Sequence, residues 1–157
     1  MNYLCRSIFC ICSYLFIIAG LRGQTSDVEK KAPDPGTEKH IAIDEFPKKS
    51  VINLIDGWGN MAVAVNELPK GTDLGPLLIG LKDNLCQVPH WGLIIKGSLR
   101  VRYADGNDVL LKAGDLFYMP PGHTGVVLDD LKLLDFSPAD EMKELIKHID
   151  AKLQKQK

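Results

Sequence analysis

From residue 61 to residue 136 the chain is a succession of short apolar runs, each soon stopped by glycine, proline, asparagine or aspartate. Residues 61–65 (MAVAV) give way to 66–71, which contain Asn66, Pro69 and Gly71. Residues 77–81 (LLIGL) follow Gly75-Pro76, and residues 91–95 are broken at Lys96-Gly97. Leu99, Val101 and Tyr103 alternate with Arg100 and Arg102, the two-residue period of a strand with one buried face. Ala104-Asp105-Gly106-Asn107 then gives a hairpin turn, because Asp-Gly accommodates the positive φ of a tight reversal. Residues 109–111 form the return strand, and 116–119 follow the turn at 113–115. Residues 126–128 and 131–136 lie on either side of Asp129-Asp130. Many short strands at close spacing predict an all-β sandwich or small barrel over residues 40–136.

The stretch 137–157 has a different period. Ser137 is placed to cap a helix, and Pro138 suits its first turn. Asp140 and Glu141 favour the positive end of the helix dipole. Met142, Leu145, Ile149 and Leu153 fall on one face, with Ile146 beside them. An amphipathic helix covering one face or edge of the barrel is expected.

The other end of the chain reads as an address rather than as structure. Arg6 precedes the apolar run 8–19 (IFCICSYLFIIA), and Gly20, Arg22, Gly23, Gln24 and Thr25 follow it. A basic start, a short apolar stretch and a small-residue exit describe a signal peptide over 1–23. The run is short of the about 20 residues a membrane span needs. The chain is therefore expected to be secreted or periplasmic, without a stable membrane anchor after processing. An uncleaved, membrane-anchoring segment is the alternative. Residues 24–39 carry Lys30, Lys31, Pro33, Pro35 and Gly36 with no apolar period, and read as a flexible polar lead.

Removing 1–23 leaves 17 basic and 20 acidic residues, a net charge of -3, so no electrostatic footprint for nucleic acid exists. Cys5, Cys10 and Cys12 go with the signal. Cys86 alone remains, so no internal disulfide can form and a packed core must hold the fold.

Two segments joined by a hairpin carry a family resemblance. His90-Trp91-Gly92-Leu93-Ile94-Ile95-Lys96-Gly97 looks like the end of the first cupin motif. Gly114-Asp115-Leu116-Phe117-Tyr118-Met119-Pro120-Pro121-Gly122 matches the second, a glycine, five residues, then P-x-G. CQVPHWG, RVRYADG and MPPGHTG together resemble small single-domain cupins with no settled activity. The resemblance implies a cupin-type jelly-roll β-barrel, able to enclose a metal or small ligand and often paired as a homodimer through its sheets.

The ligand pattern departs from that family. Its first motif carries two histidines and a glutamate. Here His90 stands at the glutamate position, and Asn84 with Cys86, or Asp83 with Leu85, stands at the histidine pair. In the second motif the metal histidine would fall on Gly125, whereas His123 lies one residue after Gly122. The residues that could still converge are Cys86, His90 and His123. The resemblance places the two histidines near the barrel mouth. Thiolate and neutral imidazole suit a divalent transition metal such as zinc, iron, nickel or copper. The plainer reading makes the histidines hydrogen-bonded core or rim residues and Cys86 a buried small hydrophobe.

Trp91, Tyr103, Phe117 and Tyr118 read as lining or core, with the Tyr118 hydroxyl offered inward to a bound ligand or cofactor. Arg100 and Arg102 share one strand face that reads as solvated; turned inward, the pair would bind a carboxylate or phosphate by bidentate hydrogen bonding. Asp83 and Asp115 are candidate general bases by proximity alone, and Asp115 also suits the turn at Gly114. Trp58 reads as a turn residue packed on the barrel or at a subunit contact, and His40 and His148 as surface residues.

Three functions remain open from sequence. One is an exported cupin that binds a metal ion or small molecule. Another is a metal-dependent oxygenase, isomerase or lyase. The third is an interaction protein whose barrel site is vestigial.

Overall fold

The Leu99–Val101–Tyr103 alternation lies in an interior strand of one antiparallel sheet. In a computed structural model, which describes residues 40–47, 52 and 54–154, the strands are β1 (Leu54–Trp58), β2 (Met61–Leu68), β3 (His90–Tyr103), β4 (Asp108–Lys112), β5 (Leu116–Met119) and β6 (His123–Pro138). The helices are α1 (Gly75–Leu78) and α2 (Ala139–Gln154). The expected signal peptide and polar lead lie outside the described residues, as do Cys5, Cys10, Cys12 and residues 155–157. Among the described residues no helix is long and apolar enough to cross a membrane.

The sheet order is β1-β2-β6-β3-β4, with β5 also paired to β3. β3 is flanked along its length by β6, while its other edge takes β5 at His90–Leu93 and β4 at Ser98–Arg102. This is the expected all-β jelly roll with a C-terminal helix. Arg100 and Arg102 point to solvent as expected, and Arg102 pairs with Asp108 at 3.2 Å.

Two breaks expected from sequence are bends. Lys96-Gly97 does not end its strand, and Asp129-Asp130 does not reverse its own. The two stretches face each other, and the β3–β6 register slips between Ile94 and Leu99. Ile94 and Leu99 are both buried although five residues apart, so the period-two phase must change between them. A bulge at Gly97 makes that change. Gly97 has φ +80°, and a Cβ there would lie 2.2 Å from the Asp130 carbonyl oxygen. Only glycine fits both demands.

Residues 77–81 also differ from expectation. Pro76 sits in the first turn of the short helix α1, which ends at Leu78. Leu78 is buried there against Met142, Leu145 and Ile149 of α2. Those three are the face the helical period picked out, and each contributes roughly 1.5–3 kcal/mol by burial. Ser137 does not lie free to cap α2. It is the buried penultimate residue of β6 and bonds to His90. Trp58 ends β1 opposite Met61 and packs with Val63, Val65 and Phe46. His148 is half-buried rather than a surface residue.

Candidate metal and ligand site

Three chain segments meet at one end of the barrel interior. Cys86 lies in the loop before β3 and forms an isolated antiparallel bridge with His123, the first residue of β6. The Cys86 amide donates to the His123 carbonyl at 2.7 Å, and the Gly122 amide donates to the Cys86 carbonyl at 2.7 Å. This bridge sets the thiol beside the His123 ring without requiring Cys86 to share a strand with His90, so Pro89 is no obstacle. His90, the first residue of β3, faces inward from the neighbouring strand. Its ring centroid is 5.2 Å from that of His123. One donor atom from each of Cys86, His90 and His123 lies within 4.8 Å of the others, and all three residues are buried.

The second motif's usual histidine position is filled by inward-facing Gly125, where a Cβ would press on Leu99 Cδ1 at 3.1 Å. His123 is two residues earlier on the same strand and so shares that face.

The outer atoms of both imidazoles are held. His123 Nδ1 donates to the Pro120 carbonyl at 2.6 Å. His90 Nδ1 meets Ser137 Oγ at 2.6 Å and Asp135 Oδ2 at 3.3 Å, while its Nε2 lies 3.5 Å from Cys86 Sγ. Backbone or carboxylate acceptors behind a histidine fix its tautomer and its aim, the arrangement seen behind metal-ligating imidazoles.

Burial alone pushes the Cys86 thiol up, but hydrogen bonds from His123 and His90 outweigh it and bring the thiol down to about 6. Burial likewise opposes the charge on His90, and hydrogen bonds with Asp135 and Cys86 overcome it, raising the imidazole to about 9. At neutral pH the pair is therefore thiolate and imidazolium. A metal held here would have to displace the His90 proton and would find the thiolate already formed.

Asp135 and Ser137 escaped the sequence reading. Their signal was present: residues 131, 133, 135 and 137 continue one period-two face, and Leu131 and Leu133 are core. Asp83 and Asp115, the candidate bases, are both exposed. Asp115 instead accepts from the Lys112 amide at 2.8 Å in the turn. Tyr118 does not offer its hydroxyl inward. On β5 it is Phe117 and Met119 that are buried, so Tyr118 faces out, 52% exposed and stacked on Trp91 with ring centroids 5.0 Å apart. Trp91 is likewise exposed rather than core.

The cluster opens into a cavity of about 190 Å³ between the sheet and α2. Leucine, isoleucine, valine and methionine side chains form most of its wall, and Asp135, Asn66 and Thr124 interrupt them.

Residues 83–128 match a family described as the EutQ-like cupin domain. No curated protein matches the sequence. Similar solved structures include a putative ethanolamine utilization protein Q from Salmonella typhimurium LT2, 20% identical over 56% of this chain and 70% of that one, with a TM-score of 0.42. An RmlC-like cupin from Shewanella frigidimarina NCIMB 400 is 18% identical, covering 66% of this chain and 93% of its own, with a TM-score of 0.49. KdgF from Halomonas sp. is 20% identical over 55% of this chain and 76% of its own, with a TM-score of 0.41.

Proposed function

We propose, from the cupin-domain match over residues 83–128, that the chain is an exported cupin-type binding protein. Cys86, His90 and His123 hold one divalent transition metal at the head of a small-ligand cavity. The observation that carries this reading is the convergence of three buried donors, two of them imidazoles whose outer nitrogens are held by Pro120, Ser137 and Asp135. Thiolate with two imidazoles suits zinc, iron, nickel or copper. Such a metal acts as a Lewis acid toward a bound oxygen. The chain's own share is to deliver the thiolate, aim both Nε2 atoms and line the neighbouring space with hydrocarbon.

A metal-dependent enzyme is the second reading. A three-ligand set favours it, because it leaves a coordination position open for substrate. Turnover by the metal-loaded protein separates the two readings. Export through residues 1–23 is part of the proposal, and the N-terminal mass of protein recovered from its source checks it. Self-association of the kind expected from the resemblance would bury the exposed Trp91, Tyr118 and Phe136, which occupy paired positions across β5, β3 and β6.

The test is metal analysis of untagged protein lacking residues 1–23. About one transition metal per chain is expected, lost in the His90→Ala/His123→Ala double variant while circular dichroism keeps its strand signal. Protein that retains no metal after loading with each of the four ions would overturn the metal reading.

A further inference from the structure

One oxygen at this site has no partner. Asp135 is 6% exposed, and its Oδ2 faces His90 while its Oδ1 is buried without a hydrogen bond. Leaving a buried carboxylate oxygen unsatisfied is costly, and native interiors avoid it unless something else supplies the donor. Asp135 lines the cavity. The hydroxyl of Thr124, also in that lining, is buried and unpartnered as well.

The rest of the wall limits what could bring the donor. Leu68, Leu78, Leu99, Val101, Met119 and Leu145 present hydrocarbon. Among the described residues that line the cavity there is no lysine or arginine. An anion would meet the Asp135 carboxylate, and the one positive group beside it, His90, is already paired to that carboxylate. A cation would find the Asp135 charge already answered by His90, 3.3 Å away. An apolar cavity of about 150 Å³ admits benzene. The cavity here, about 190 Å³, leaves room for a ring of that size and a short polar arm.

We propose that the cavity binds a small neutral molecule, mostly hydrocarbon, whose hydroxyl donates to Asp135 Oδ1. The proposal deepens the binding reading given above and shares its cavity, but it does not need the metal. The hydroxyl preference belongs to the protein even when the ions are stripped. Thr124 offers a second polar contact to a ligand that carries one.

Calorimetric titration of metal-stripped protein with benzyl alcohol, toluene and benzoate tests this. Benzyl alcohol is expected to bind at least fivefold more tightly than toluene, and benzoate more weakly than either. Asp135→Leu is expected to remove the preference for the alcohol while keeping toluene binding. Should that variant fail to fold, Leu74→Trp fills the cavity from a half-buried position and is expected to abolish binding of both neutral probes. Equal affinity for alcohol and toluene, tighter binding of benzoate, no binding of any probe, or probe binding undiminished in Leu74→Trp would each overturn the proposal. Failure of the metal reading would show separately, as protein that holds no ion yet still prefers the alcohol.

Discussion

Replacing Asp135 by asparagine keeps the shape behind His90 and removes the charge, and its effect on metal affinity should depend on pH in a calculable way. Two consequences oppose each other. Losing a carboxylate behind a ligating histidine typically weakens metal binding about 10–100-fold, or about 1.4–2.8 kcal/mol. The same carboxylate, 3.3 Å from His90 Nδ1, helps hold the imidazole proton that metal must displace. With His90 at about 9, that proton competes against metal by about 100-fold at pH 7 and by less than about twofold at pH 9.5. Asparagine relieves part of the competition. The variant should therefore bind zinc 10–100-fold more weakly than the unaltered protein at pH 9.5, and the gap should shrink at pH 7. Competition against a chromophoric chelator of known affinity reads both values. Equal affinities at pH 9.5, or a gap that does not change with pH, would refute the argument that Asp135 both aims and charges His90.

Three further outcomes are expected. In metal-free protein the thiolate absorbance near 240 nm should appear with a midpoint of about 6, and His90→Ala should move it up toward the ordinary 9.0. The lowered thiol adds stability above pH 9.0 that is lost as pH falls through about 6, and the raised imidazole adds stability below pH 6.5 that is lost as pH rises through about 9. Between those limits the thiol gives up a proton and the imidazole keeps one, so these two groups should leave urea-unfolding stability flat from pH 6.5 to 9; a steep slope that His90→Ala abolishes would contradict the pairing. Gly97→Ala should destabilise by more than the roughly 1–3 kcal/mol of a strained backbone, because the added Cβ would also sit 2.2 Å from the Asp130 carbonyl oxygen; an unchanged urea midpoint would show that the bulge does not fix the register.

Much of the barrel was legible because its cues are local. The Asp105-Gly106 hairpin and the Met142, Leu145 and Ile149 face of α2 are set by turn chemistry and period, and the structure keeps both. Lys96-Gly97 misled because a glycine that bends a strand has the same sequence signature as one that ends it. What separates the two is the Asp130 carbonyl across the sheet, which is more than thirty positions away along the chain. The Cys86, His90 and His123 cluster was legible through the motif positions, whereas the Cys86–His123 bridge that makes it compact is a backbone pairing with no sequence signal. Ser137 and Asp135 were obscured by stronger local cues. A serine before proline and two acids looks like a helix cap, yet it is the inward alternation of β6 that sets its place. Tyr118 was misplaced by one step of the same alternation, since Phe117 and Met119 are the inward pair.

X-ray absorption spectroscopy on the zinc-loaded protein would read the donor atoms of the three-residue site themselves. One sulfur at about 2.3 Å and two imidazole nitrogens at about 2.0 Å around a single ion are expected, with the sulfur signal absent from Cys86→Ala. A shell of oxygen and nitrogen alone, unchanged by that substitution, would contradict it.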